Sequence, residues 1–130
     1  MTEQEKKNKL IALFLGYEDW VEFKSVRLKR TDGIDAYIHI CEYKNLKYHL
    51  LWDDLIPVLK KIDELLYASY ADYDDTVQDF INKWWKTEPQ TLQYTNNQLK
   101  FSTVIEDVYD EVIKFIIFYY KYQEEYQVNL

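Results

Sequence analysis

A chain of 130 residues is long enough for one domain with its own core, and its single cysteine excludes an internal disulfide framework. Its formal charge of −7 argues against nucleic-acid binding, because phosphate affinity comes mostly from Lys and Arg. The imbalance is local: residues 1–30 hold seven Lys/Arg against five Asp/Glu, and the rest nine against 18. An acidic body of this kind is either a solubility device or a surface complementary to a basic partner. Thirteen tyrosines bring rings that bury while their hydroxyls stay wet, which suits half-buried surfaces and interfaces.

The chain begins with Thr2 and Glu5 in capping-box spacing, followed by a stripe of Leu10, Ile11 and Phe14 and a stop at Gly16. This predicts a first amphipathic helix. Trp20 to Arg30 alternates with a slip of phase, Val21 and Phe23 pointing one way and Val26 and Leu28 the other. That pattern predicts one strand with a bulge near Lys24–Ser25. Asp32-Gly33 then reads as a two-residue hairpin turn. The returning segment Ile34 to Tyr43 carries Ile34, Ala36, Ile38 and Ile40 on one face and Tyr37, His39, Cys41 and Tyr43 on the other. Apolar or aromatic residues on both faces predict a central strand covered on both sides.

Leu51, Leu55, Val58, Leu59, Ile62, Leu65 and Leu66 keep helical spacing, with Pro57 either in the first turns or at a kink. Asp72 to Trp85 predicts a third helix, with Val77, Phe80, Ile81 and Trp84 inward, Asp72, Asp75 and Asp79 outward, and Pro89 beyond its end. Leu92, Tyr94, Leu99 and Phe101 alternate around Asn96-Asn97, a second hairpin signal. The last helix, Thr103 to Tyr122, has the densest apolar content and organises the rest. Thr103 and Glu106 fit a capping box, and Val104, Ile105, Val108, Tyr109, Val112, Phe115, Ile116 and Tyr119 share one face. Glu106, Asp107, Asp110, Glu111, Lys114 and Lys121 take the other face, where Ile117 and Phe118 break the polar pattern. The order α-β-β-α-α-β-β-α predicts a single α+β domain over residues 1–130, a four-stranded antiparallel sheet from two hairpins with helices packed on it.

Three segments carry a resemblance. Leu10, Ile11, Ala12, Phe14 and Gly16 form the first, and Tyr48, His49, Trp52, Asp53, Leu55, Pro57, Val58, Lys61 and Ile62 the second. Val108, Tyr109, Val112, Phe115, Ile116 and Tyr119 form the third. Together, and in this order, they resemble small phage and prophage proteins related to the phage ABA sandwich domain. The resemblance implies a helix–sheet–helix sandwich of mobile-element origin, and it carries no activity or catalytic residues. Departures from the family pattern add apolar surface. Leu50-Leu51 stand where a Thr-Ser helix cap is usual, and Ile117 and Tyr120 stand where polar residues are usual. The tandem Trp84-Trp85 belongs to a helix that looks like an addition.

His39 and Cys41 lie two apart on one strand face with His49 not far away, so a metal site or a Cys–His nucleophile can be drawn from them. No orienting acid is evident, and packing roles fit these residues better. His49 and Asp53, four apart, have the spacing for a hydrogen bond replacing the missing cap. The acids Asp72, Asp74, Asp75 and Asp79, and Glu106, Asp107, Asp110 and Glu111, lack an EF-hand loop and read as solvated faces. No glycine-rich phosphate loop, G-x-S-x-G or HExxH occurs. The expectation is a protein without enzymatic activity, cofactor or metal, located in the cytoplasm of a bacterial host. Two readings of its function remain. One is an inhibitor of the anti-CRISPR type that docks on a host protein or ribonucleoprotein complex with a basic surface. The other is a self-associating accessory protein of the mobile element, in which a homodimer uses the apolar patch. The candidate partner-binding residues are Asp75, Asp79, Trp84, Trp85, Asp107, Asp110, Ile117, Phe118 and Tyr120. Neither a membrane nor sequence-specific nucleic-acid contact is expected.

Overall fold

A computed structural model of the chain describes residues 1–71, 75–95 and 98–130. Asp72, Asp74 and the Asn96-Asn97 turn predicted above lie outside the described residues. The first helix, α1 (Glu3–Phe14), starts on the predicted capping box: Thr2 Oγ1 accepts the Glu5 N–H at 3.1 Å, and the Thr2 N–H donates to Glu5 Oε2 at 3.0 Å. It ends as its glycine dictates. Gly16, at φ +100°, lets its own N–H reach Leu13 C=O and the Tyr17 N–H reach Ala12 C=O, each at 3.0 Å.

The chain then departs from the predicted single strand. β1 (Glu18–Trp20) and β2 (Ser25–Lys29) form a hairpin of their own, with Glu18 opposite Arg27 and Trp20 opposite Ser25. What reads as a phase slip is a reversal, made by a 3-10 turn at Val21–Phe23 and by Lys24 in the left-handed region at φ 49°. β3 (Tyr37–Glu42) completes a three-stranded antiparallel sheet in the order β1-β2-β3. The connection from β2 is a seven-residue loop, 30–36, and not a two-residue turn at Asp32-Gly33. Within it, Asp32 Oδ1 accepts the Ile34 N–H at 3.1 Å and Gly33 takes φ +88°. Leu28 pairs with His39 and Lys29 with Tyr37, so Ile38 is the extra residue of a bulge. β3 is thus a sheet edge and not a central strand covered on both sides: Ile38 is 64% and Ile40 52% exposed.

Val26 and the sheet's inner face pack into the core, while the outer face is open. There the Arg27 guanidinium lies 4.6 Å from the Trp20 ring and 4.2 Å from the Tyr37 ring, with Nε 3.3 Å from Glu18. α2 (Trp52–Ala71) holds Pro57 in its second turn. Its Lys61 amine donates to Phe14 C=O, tying α2 to the end of α1. α3 spans Asp75–Lys86. β4 (Leu92–Thr95) and β5 (Gln98–Phe101) pair antiparallel as a separate two-stranded sheet, so the predicted four-stranded sheet does not form.

α4 (Ile105–Tyr126) is the hub. Phe115 meets Phe14 of α1 at 6.4 Å and Phe80 and Trp84 of α3 at 5.8 and 5.0 Å, edge-on in each case. The Thr103–Glu106 capping box does not form, because the helix begins one residue later with Val104 as N-cap. Glu111 also departs from its predicted solvent face. It is buried, its carboxylate accepting the N–H groups of Gln90 (2.6 Å), Thr91 and Leu92 (2.8 Å) together with the Thr91 hydroxyl. That bond set pins the start of β4 to the side of α4. No helix among the described residues is long and apolar enough to cross a membrane.

Candidate docking surface

α2 and α4 both open onto one patch of surface, and neither opens on a polar cap. Leu50 and Leu51 donate their N–H groups to Lys47 C=O at 3.0 Å, and Leu51 C=O accepts from Leu55 at 3.1 Å. Leu51 therefore occupies the N-cap position of α2, with a side chain that cannot accept a hydrogen bond. Val104 does the same for α4, at φ −91° and ψ 109°, after Ser102 Oγ has turned the chain by accepting its N–H at 3.1 Å. The two starts adjoin through Trp52 and Phe101, whose rings stand 5.7 Å apart. Leu50 is 59% exposed, Leu51 49%, Val104 50% and Phe101 40%, so exposed aliphatic and aromatic surface lies on both sides of the Trp52–Phe101 contact.

Carboxylates flank that surface. Glu106, Asp107 and Asp110 stand exposed in the first turns of α4, Glu106 and Asp110 sharing a cleft with Leu50, and Asp53, two residues after Leu51, is exposed on the side of α2 that faces the His39 cleft. Among the described residues none of these four is in a salt bridge. A cleft of about 260 Å³ between Leu50, His49, Glu106, Tyr109, Asp110, Gln4 and Lys7 extends the patch toward α1.

The floor of the cleft is a satisfied polar network. Asn8, buried, donates to Leu46 C=O and to His49 Nδ1, each at 3.0 Å, and accepts the Tyr109 hydroxyl at 2.9 Å. Tyr109 in turn accepts from Gln4 Nε2 at 2.6 Å. Because His49 Nδ1 accepts, its proton sits on Nε2, and burial followed by the Lys47 charge holds the ring below its ordinary pKa. Burial pushes the Tyr109 hydroxyl up to about 12. His49 makes this bond with Asn8 in place of the predicted one with Asp53.

The predicted partner-binding residues do not form one surface. Asp107 and Asp110 belong to the patch just described. Trp84 is only 2% exposed and packs on Phe115 and Phe118, so it is a core residue and not an accessible anchor. Phe118 is half-buried against Phe80 at 5.4 Å, and Trp85 is half-buried beside the core. Ile117 and Tyr120 are exposed, as their polar-side positions require. Asp75 lies exposed at the start of α3. Asp79 pairs with Lys83 at 3.0 Å and accepts the Tyr122 hydroxyl at 2.7 Å, a contact that holds its carboxyl below its usual range. α3 meets α4 at Tyr122, and a helix rise of about 1.5 Å per residue sets that contact roughly 20 Å from Asp107. The two acid pairs therefore stand at opposite ends of α4.

His39 and Cys41 line a different cleft, of about 430 Å³, with Tyr17, Lys47 and Asp54. His39 Nδ1 lies 2.7 Å from the Tyr17 hydroxyl, and the Cys41 thiol donates to Glu42 C=O at 3.5 Å. Burial, with Asp54 and Glu42 adding to it, pushes the thiol above its ordinary pKa, the opposite of what a nucleophile needs. Among the described residues no three His, Cys, Asp or Glu side chains group to hold a metal ion. The family resemblance singles out Leu50 and Leu51 as added apolar surface, whereas helical spacing counts Leu51 with the stripe of α2 and Val104 with the buried face of α4, and both are exposed. The available signal was an aliphatic residue directly before a helix start. Set beside known protein families, curated proteins and solved structures, the chain matches none.

Proposed function

We propose that this chain is a non-catalytic protein-binding protein that receives a basic partner on the surface formed by Leu50, Leu51, Phe101 and Val104. A nucleic-acid-handling host complex blocked in this way fits the charge, since such complexes present the Lys and Arg that phosphate requires. The observation that carries the reading is the pairing of two helix starts at exposed aliphatic residues beside exposed acids of α4 that, among the described residues, make no salt bridge. An aliphatic N-cap costs about 1 kcal/mol relative to Ser, Thr, Asp or Asn. Two such positions side by side exchange stability for contact area, as binding sites do. The acids then steer a basic surface toward the apolar centre, which supplies affinity once water leaves.

The test compares wild type with a Leu50→Ser/Leu51→Ser/Val104→Ser variant, both immobilised and exposed to a lysate of bacteria that carry a nucleic-acid-guided defence complex. Wild type is expected to retain a basic protein that elevated salt releases, to inhibit its nuclease activity, and to lose both properties in the variant. Equal retention by the two proteins, with both folded, overturns the assignment.

A further inference from the structure

We propose that the chain forms a two-fold dimer through β3, in which Ile40 pairs antiparallel with its own counterpart and two three-stranded sheets join into one of six strands. The backbone is placed for it. The Tyr43 N–H donates to Lys24 C=O at 2.8 Å, which fixes the alternation along β3. Cys41 and His39, paired with Val26 and Leu28, direct their backbone groups toward β2, so those of Ile40 and the Glu42 N–H point outward, while Glu42 C=O already accepts the Cys41 thiol. The opposite edge, β1, has only three residues, two of them acidic.

β3 is only lightly guarded as an edge. It holds no proline, its one charged residue is Glu42 at the end, and its one irregularity is the Ile38 bulge, which leaves the stretch around Ile40 regular. Ile34, Ile38 and Ile40 are each more than half exposed. A register centred on Ile40 sets Glu42 opposite Ile38 of the second copy and opposes no two like charges.

Charge favours a second copy as the occupant. A chain of −7 repels its twin wherever acids dominate, which covers most of the helical body. Residues 17–47, which carry the sheet, hold six Lys/Arg and six Asp/Glu. Arg27–Glu18, Lys29–Asp35, Arg30–Asp32 and Lys44–Glu42 pair internally there. The sheet edge is therefore a face that two copies share without repulsion, and it offers a basic partner no net attraction.

The experiment is the solution mass by light scattering at about 100 μM chain, above the dissociation constant of an ordinary small interface. Wild type is expected at twice 15.9 kDa. Ile40→Lys, which opposes two like charges at the seam, is expected at the single mass with an unchanged far-UV circular dichroism spectrum, because Ile40 is outside the core, and with a melting temperature lowered only by the lost association. Ile40→Val keeps the dimer, and so does Leu50→Ser/Leu51→Ser, which removes the docking surface alone. A monomeric wild type, or an Ile40→Lys variant that remains a dimer, overturns the proposal. A dimer lost only in the Leu50→Ser/Leu51→Ser variant overturns it as well and moves the contact to the other surface.

Discussion

Glu111 shows how much one side chain decides. Its carboxylate satisfies three backbone N–H groups and one hydroxyl at the loop entering β4. Glu111→Ala leaves those donors buried without an acceptor, at about 1–3 kcal/mol for each that water cannot reach. Urea unfolding is expected to show a loss of about 3 kcal/mol, while Lys114→Ala, on an exposed neighbour, stays within about 0.5 kcal/mol. His49 gives a proton-linked effect. Its folded pKa lies below the unfolded value of about 6.5, so its contribution is complete above that pH and is lost as pH falls through the folded value. Protonated Nδ1 cannot accept from Asn8. The unfolding midpoint is expected to drop between about pH 7.5 and about pH 5.5 in wild type, and to drop less in His49→Gln, which keeps an acceptor without the titration.

The helices were legible element by element, because a 3.6-residue apolar period needs no tertiary knowledge to be read. α4 as organiser and the inward set Phe80, Ile81 and Trp84 follow from it, and the α1 capping box follows from the Thr2–Glu5 spacing. Strands were harder for a physical reason. The alternation of Ile34, Ile38 and Ile40 against Tyr37, His39 and Cys41 records apolar side chains, and an exposed sticky edge has the same pattern as a strand buried twice. The reversal after β1 was hidden because Lys24 adopts the left-handed region without a glycine. The docking surface was half legible: grease before α2 was visible, but its junction with Val104 depends on Trp52 reaching Phe101 across the fold. Its element-scale consequence is specific. Leu51→Ser and Val104→Ser supply the missing caps, so each is expected to raise stability by about 0.5–2 kcal/mol in thermal unfolding while weakening partner binding. Loss of both stability and binding would mark the two residues as core.

At the scale of the whole molecule, charge is partitioned between a balanced sheet and an acidic helical body. Reversing Glu106, Asp107 and Asp110 to Lys is expected to slow association with a basic partner and flatten its salt dependence, leaving dissociation nearly unchanged. Stopped-flow mixing from about 50 mM to about 500 mM salt separates the two rate constants, since the Debye length shrinks several-fold over that range. With β3 as the seam, one dimer presents two such surfaces, and a partner that repeats its basic site is held with avidity beyond either contact alone.

Three of the four tryptophans divide the same molecule optically. Trp84 is sealed in the core, Trp20 lies under Arg27 on the open sheet face, and Trp52 stands at the rim of the docking surface against Phe101. A partner that covers Leu50 and Phe101 removes water from the Trp52 indole and shifts its emission to shorter wavelength. Trp84 emission remains as an internal reference for folding. Occupancy of the proposed docking surface thus has an intrinsic fluorescence readout, and Trp52→Phe silences it.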